Sequence, residues 1–157
     1  CMALALRAGN SNTLVMRTLS KAFSLAGLRF GYVVGPVELI GALYKIKDSY
    51  NMDMLAQSVG MAALDDIPHM SANARRIKTT RARLAAALRR RGWRVCDSQT
   101  NFLFARLPDG DAARLFAALK AKKIYVRYFP GPETGEYLRI TIGTGSQTDA
   151  LLAALDG

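Results

Sequence analysis

The chain is poor in the residues that most often carry chemistry unaided. Its 157 residues include one histidine, two cysteines and one tryptophan. His69 follows Pro68 near an expected helix start and has no serine or cysteine at a recognisable spacing, which argues against a catalytic triad. Cys1 and Cys96 cannot build a disulfide framework and show no metal-ligand spacing, so a reducing, cytoplasmic setting is expected. Cys96 precedes a polar turn and has nothing beside it to activate a thiol. The adjacent acids Asp65 and Asp66 fall at a helix end, where solvated side chains are the expectation rather than metal ligands. Apolar runs are broken by charge well short of membrane-spanning length, which predicts a soluble protein with no membrane partner. No charged, apolar, small-residue leader is visible, and there is no internal repeat, low-complexity tract or heptad pattern.

What is present is a chain that is half hydrophobic, enough for one respectable core, with a formal charge of +10. Much of the charge sits in Arg75, Arg76, Lys78, Arg81, Arg83, Arg89, Arg90, Arg91 and Arg94, and a second group is Lys120, Lys122 and Lys123. A nucleic-acid partner would want a basic face with aromatics for stacking, and only Trp93 lies near the first cluster. The arginines fall largely off the apolar stripe Ile77, Leu84 and Leu88. The expectation is therefore a solvated helix face, with no nucleic acid bound and with its acidic counterpart outside this sequence. A basic, non-catalytic nucleic-acid-binding module is the alternative from a different class. It predicts steeply salt-dependent binding.

Along the chain, residues 13–18, TLVMRT, read as a buried parallel strand after a turn cluster at Gly9, Asn10, Ser11 and Asn12. Residues 28–34, LRFGYVV, read as the next strand, with Arg29 at its start. Pro36 opens a helix that runs through Lys47. Residues 48–53, DSYNMD, are polar and turn-rich, and a change of domain is placed there. Helices are expected over residues 54–64 and, after an interruption at Pro68, to about Arg91, ended by Gly92. An α+β rhythm follows: strands near 93–95, 101–107, 124–128 and 137–142, with helices over 111–122 and about 147–155.

The densest chemistry lies in residues 18–32, TLSKAFSLAGLRFGY. A lysine amine is a useful nucleophile only in a protected pocket that suppresses its charge, and Lys21 stands beside the small hydroxyl residues Thr18 and Ser20. Those hydroxyls and the planar fork of Arg29 are what would surround a phosphate. Gly27 and Gly31 allow a tight turn and close approach. Together they point to a lysine that forms a Schiff base with a carbonyl cofactor carrying a phosphate, and pyridoxal phosphate is the obvious candidate.

The whole run resembles the cofactor-lysine segment of the class I/II, fold-type-I aminotransferases, most closely the histidinol-phosphate aminotransferase branch. In that family the arginine follows the lysine by eight residues, as Arg29 follows Lys21. A second segment, LRITIGT, resembles the C-terminal signature of the same branch. Its Arg139 sits within the alternating strand pattern YLRITI. The resemblance implies that this arginine binds the substrate α-carboxylate, which a guanidinium can hold by two parallel bonds. Arg127, twelve residues upstream in IYVRYF, matches a second arginine that faces the far end of the substrate. The family usually has an acidic residue next, where this chain has Tyr128.

The resemblance implies an α/β fold. Residues 1–49 would be the C-terminal part of a large, mainly parallel-sheet domain that binds pyridoxal 5'-phosphate, and residues 50–157 an α+β small domain. It implies a C-terminal portion of a longer enzyme that works as a homodimer on small amino and 2-oxo acids. The reaction expected is histidinol phosphate plus 2-oxoglutarate giving imidazole acetol phosphate plus glutamate. Lys21 would be the catalytic residue, with Thr18, Ser20 and Arg29 on the cofactor phosphate. Another amino-acid aminotransferase, or a threonine-phosphate decarboxylase of the same fold, is the nearest alternative.

Overall fold

The computed structural model describes residues 11–156 together with Ala3, Arg7 and Gly9. Cys1 and Asn10, used in the sequence reading, lie outside the described residues. The chain falls into two compact units, Cys1–Ala72 and Asn73–Gly157.

In the first unit, β1 (Val15–Thr18) and β2 (Gly31–Val34) form a two-stranded sheet, followed by α1 (Val37–Ile46) and α2 (Met54–Asp65). The strands run antiparallel, with Val15 opposite Val34 and Thr18 opposite Gly31. This corrects the expectation of a buried parallel strand. A parallel neighbour needs a crossover, usually a full helix. Here the link holds only a one-turn 3-10 helix, Ala26–Leu28, and doubles back so that the Leu19 N–H donates to the Phe30 carbonyl at 3.0 Å. The second strand is also shorter than expected, because Arg29 adopts the left-handed conformation (φ 55°) before β2 begins. β1 is not buried: Met16 is 77 % exposed, since β2 is the only described strand that pairs with it.

Pro36 caps α1 rather than entering it. Asp53 caps α2 by accepting the Ala56 N–H at 2.8 Å, supplying a partner for one of the donors every helix start leaves open. α3 (Ile67–Arg90) runs from the first unit into the second. Pro68 does not interrupt it, because in the first turn a missing N–H removes no helical bond.

The second unit adds β3 (Arg94–Val95), β4 (Phe102–Arg106), α4 (Ala112–Ala121), β5 (Arg127–Tyr128), β6 (Tyr137–Thr141) and α5 (Gly145–Asp156). Its sheet has the order β3-β4-β6-β5, and every pair is antiparallel. Leu103, Ala105, Leu138 and Ile140 alternate along β4 and β6 on one face. They join Leu84 and Leu88 of α3, Leu119 of α4, Leu151 of α5 and Trp93 in one core. Burial of each large side chain there contributes about 1.5–3 kcal/mol. Thr144 and Gln147 close α5 reciprocally: the Gln147 N–H donates to Thr144 Oγ1 and the Thr144 N–H to Gln147 Oε1, a capping box. The opposite face of the sheet is left to Phe102, Phe104, Arg106, Tyr137 and Arg139, all half-buried. No described helix is long and apolar enough to cross a membrane.

Candidate active site

In the first unit the predicted residues lie on the loop that leaves β1. Leu19 is its anchor, 2 % exposed, with its carbonyl accepting the Leu25 N–H. The residues on either side therefore face outward. Thr18 Oγ1 and Ser20 Oγ meet at 2.7 Å, and Thr18 Oγ1 also receives the Ser20 N–H at 3.1 Å. Lys21 follows directly, exposed, and forms no ion pair among the described residues. Its carbonyl accepts the Ser24 N–H, closing the turn.

Arg29 stands at the other end of the loop. Its Nη1 donates to the Ala26 carbonyl at 2.8 Å, which holds the guanidinium against the 3-10 turn while leaving other donors available. The two hydroxyls are thus brought together beside the lysine, whereas Arg29 is fixed separately and bonds to none of the three. Gly31 is required here, because a Cβ would lie 2.7 Å from the Arg17 carbonyl oxygen. Gly27 has open space around it.

In the second unit the predicted arginines are direct cross-strand neighbours: Arg127 of β5 lies opposite Arg139 of β6. Like charges placed opposite each other in a sheet repel. Neither has a carboxylate partner among the described residues. Arg139 Nε is buried with no hydrogen-bond partner among the described residues. Such a group is costly unless something binds it. The neighbours are aromatic: Arg139 Cζ is 5.3 Å from the Phe102 ring centroid and 5.5 Å from that of Phe129, and Arg127 Cζ is 5.3 Å from Phe129. Nearby, Phe104 stacks on Tyr137 at 4.6 Å.

The two phenylalanines were missed in the sequence. The signal for Phe129 was the alternation in VRYF, which sends residues 127 and 129 to one face. Phe102 could be placed only once β4 was seen beside β6.

Arg106, on the same face as Arg139, is satisfied differently. Its Nε donates to Glu136 at 2.5 Å, and this bond, aided by the opposite charge, holds the Glu136 carboxyl below its ordinary value. The contrast sets Arg127 and Arg139 apart as cations with unfilled anion-binding capacity.

In the C-terminal half of the arginine-rich helix and just past it, four arginines have partners in the same chain. Arg83 meets Asp149, Arg89 meets Asp97, and Arg91 donates to both oxygens of Asp156 at 2.8 and 2.6 Å. Arg81 donates to the Thr100 carbonyl at 2.6 Å. The expectation that the acidic counterpart lay outside the sequence is corrected for these residues, whose carboxylates come from later in the same chain. His69 is at the start of α3, where its N–H donates to Asp66 Oδ1 at 3.1 Å.

Comparison with known proteins gives these placements a family. The family model for aminotransferase class I and II matches residues 2–155. Histidinol-phosphate aminotransferase 1 of Nostoc sp. is 46 % identical over 153 residues, covering 98 % of this chain and 43 % of the relative. The histidinol-phosphate aminotransferase of Gluconacetobacter diazotrophicus is 47 % identical over 147 residues, covering 92 % of this chain and 41 % of the relative. The crystal structure of histidinol-phosphate aminotransferase from Sinorhizobium meliloti, in complex with pyridoxal-5'-phosphate, superposes with a TM-score of 0.81 at 28 % identity, over 92 % of this chain and 40 % of that one. The chain thus spans less than half the length of the curated relatives it matches. With a family match running through the lysine loop and the arginine-bearing strands alike, the chain belongs to the class I and II aminotransferases.

Proposed function

We propose that this chain is the C-terminal portion of a pyridoxal phosphate-dependent aminotransferase that converts histidinol phosphate and 2-oxoglutarate to imidazole acetol phosphate and glutamate. Residues 1–49 close its cofactor-binding domain and residues 50–157 form its small domain. The observation that carries the reading is the Arg127 and Arg139 pair, opposed across two strands without a carboxylate between them. Two such cations ask for a small ligand with two anionic ends, and histidinol phosphate aside, 2-oxoglutarate and glutamate are ligands of that kind. Identities of 46 and 47 % to histidinol-phosphate aminotransferases support the choice within the family.

The residues of the lysine loop fit pyridoxal phosphate. The two hydroxyls stand 2.7 Å apart beside the lysine; Thr18 Oγ1 donates to the Phe30 carbonyl, and Ser20 Oγ can turn its proton to a phosphate oxygen. Arg29 keeps donors free for the same group. Bound pyridoxal phosphate supplies an electron sink for a carbanion at the substrate Cα. The chain's own residues do the rest. Lys21 Nζ would be the group that holds the cofactor's carbonyl end, and its free amine would carry the proton taken from the substrate Cα. A positioned proton carrier of this kind contributes roughly 10²- to 10⁴-fold in rate. Arg139 holds the α-carboxylate of glutamate and 2-oxoglutarate by two parallel bonds, and Arg127 holds the distal phosphate or carboxylate. The unfilled Nε of Arg139 gains its partner only when substrate is bound.

In the full-length enzyme, Lys21→Ala should abolish glutamate formation from histidinol phosphate and 2-oxoglutarate. Near-normal turnover by that variant would overturn the assignment.

A further inference from the structure

We propose that Phe129 is a positioning residue that holds Arg127 and Arg139 as a two-pronged cation selective for ligands with two anionic ends; this rests on the assignment of those arginines to substrate binding. Strand alternation separates the side chains of β5 and its continuation. Tyr128 turns toward the core, where its ring lies 5.9 Å from that of Phe116. Arg127 and Phe129 turn to the opposite face. There the single Phe129 ring serves both guanidiniums, at 5.3 Å from Arg127 Cζ and 5.5 Å from Arg139 Cζ.

The chemistry of that choice matters. Opposed arginines need something to offset their repulsion, and a carboxylate is the common solution, as Glu136 provides for Arg106. A carboxylate would also consume the N–H donors and compete with an anionic ligand. An aromatic face attracts the cations through its quadrupole and accepts no bidentate hydrogen bonds, so the donors stay available. The main chain that carries the ring is itself tied to the following loop. Thr134 Oγ1 donates to the Phe129 carbonyl at 2.9 Å, and the Gly135 N–H donates to the Gly131 carbonyl at 2.8 Å. Arg139 has a second ring, Phe102, whereas Phe129 is the only ring found against Arg127 among the described residues. Loss of the Phe129 ring therefore removes neither cation but removes what fixes their spacing.

The test is an NMR titration of the 157-residue chain with glutarate, a dianion, and butyrate, a monoanion of similar size. Phe129→Leu should weaken glutarate binding roughly 3- to 10-fold and change butyrate binding by less than about 2-fold, and Phe129→Tyr, which keeps the ring, should stay within about 2-fold for both. If Phe129→Leu loses its dispersed amide spectrum, Phe129→Met against Phe129→Trp supplies the same contrast between open-chain and aromatic side chains. Arg139→Gln separates this proposal from the reading beneath it. If that variant binds glutarate as the parent does, the assignment of the arginines fails. If Arg139→Gln loses binding while Phe129→Leu keeps the parental preference for glutarate, the arginine assignment stands and the role of Phe129 is overturned.

Discussion

A Cβ added to Gly60 would lie 2.2 Å from Cε1 and 2.4 Å from Cδ1 of Phe30. That contact fixes α2 against the end of the lysine loop. Phe30 is also the residue whose carbonyl accepts from Leu19 N–H and Thr18 Oγ1. Two effects oppose each other in Gly60→Ala. Alanine gains about 1 kcal/mol of helix propensity over glycine, whereas overpacking of this kind costs about 1–3 kcal/mol. At such a short separation the steric term should win, and the urea midpoint of the first unit should fall. A rise in the midpoint would mean that the Phe30 ring swings aside freely. At this scale the sequence was most informative where neighbours are close in the chain. Thr18, Ser20 and Lys21 could be read together because one turn brings them together. Nothing near Gly60 in sequence announced Phe30, and nothing near Arg139 announced Phe102, since both contacts cross between distant elements.

Among the elements, α3 and α5 are tied at their C-terminal ends by Arg91 and Asp156. The hydrogen bonds from Arg91, with its charge as a further cause, hold the Asp156 carboxyl below the ordinary value of 3.8. A carboxylate with a depressed folded pKa contributes stability that is present above its unfolded value and is lost as pH falls through the lower, folded value. Asp156→Asn should therefore be less stable than the parent near neutrality, with the difference shrinking as the pH is taken below about 3.8. Urea melts of both proteins across that range provide the measurement, and a constant gap would rule out this pair as the cause.

Helix and strand positions were mostly legible from apolar spacing, including β4, β6 and the helices α1 to α5. The direction of β1 was not. Apolar, β-branched composition marks a strand, but whether its neighbour runs parallel depends on the path of the twelve residues between them. Pro68 misled for a related reason, because its effect depends on whether it falls in the first turn or later.

For the molecule as a whole, the family match runs from residue 2 to residue 155, while the relatives are more than twice as long as the stretch they share with it. Lys21 and Thr18 are both exposed. Burial is what suppresses a lysine's charge and makes its amine nucleophilic. This chain by itself should accordingly take up pyridoxal phosphate weakly or not at all, in a titration followed by the cofactor's absorbance. Tight stoichiometric uptake would contradict that expectation. The net charge of +10 also reads differently at this scale. Arg83, Arg89, Arg91, Arg106 and Arg114 are each matched by a carboxylate of the same chain, so part of the basic charge is offset within the chain itself.

By itself the sequence determined the local chemistry: a lysine beside two hydroxyls, an arginine eight residues on, and a second arginine pattern on alternating strands. Those features depend on short spacing and side-chain type, which a linear chain carries in full. Only the tertiary structure decided that β1 and β2 run antiparallel, that the arginines of α3 find their acids on the loop after β3 and on α5, and that Arg127 faces Arg139 across a strand pair with a phenylalanine ring against both. These are long-range contacts, set by loop paths and strand register, and no residue within a few positions records them.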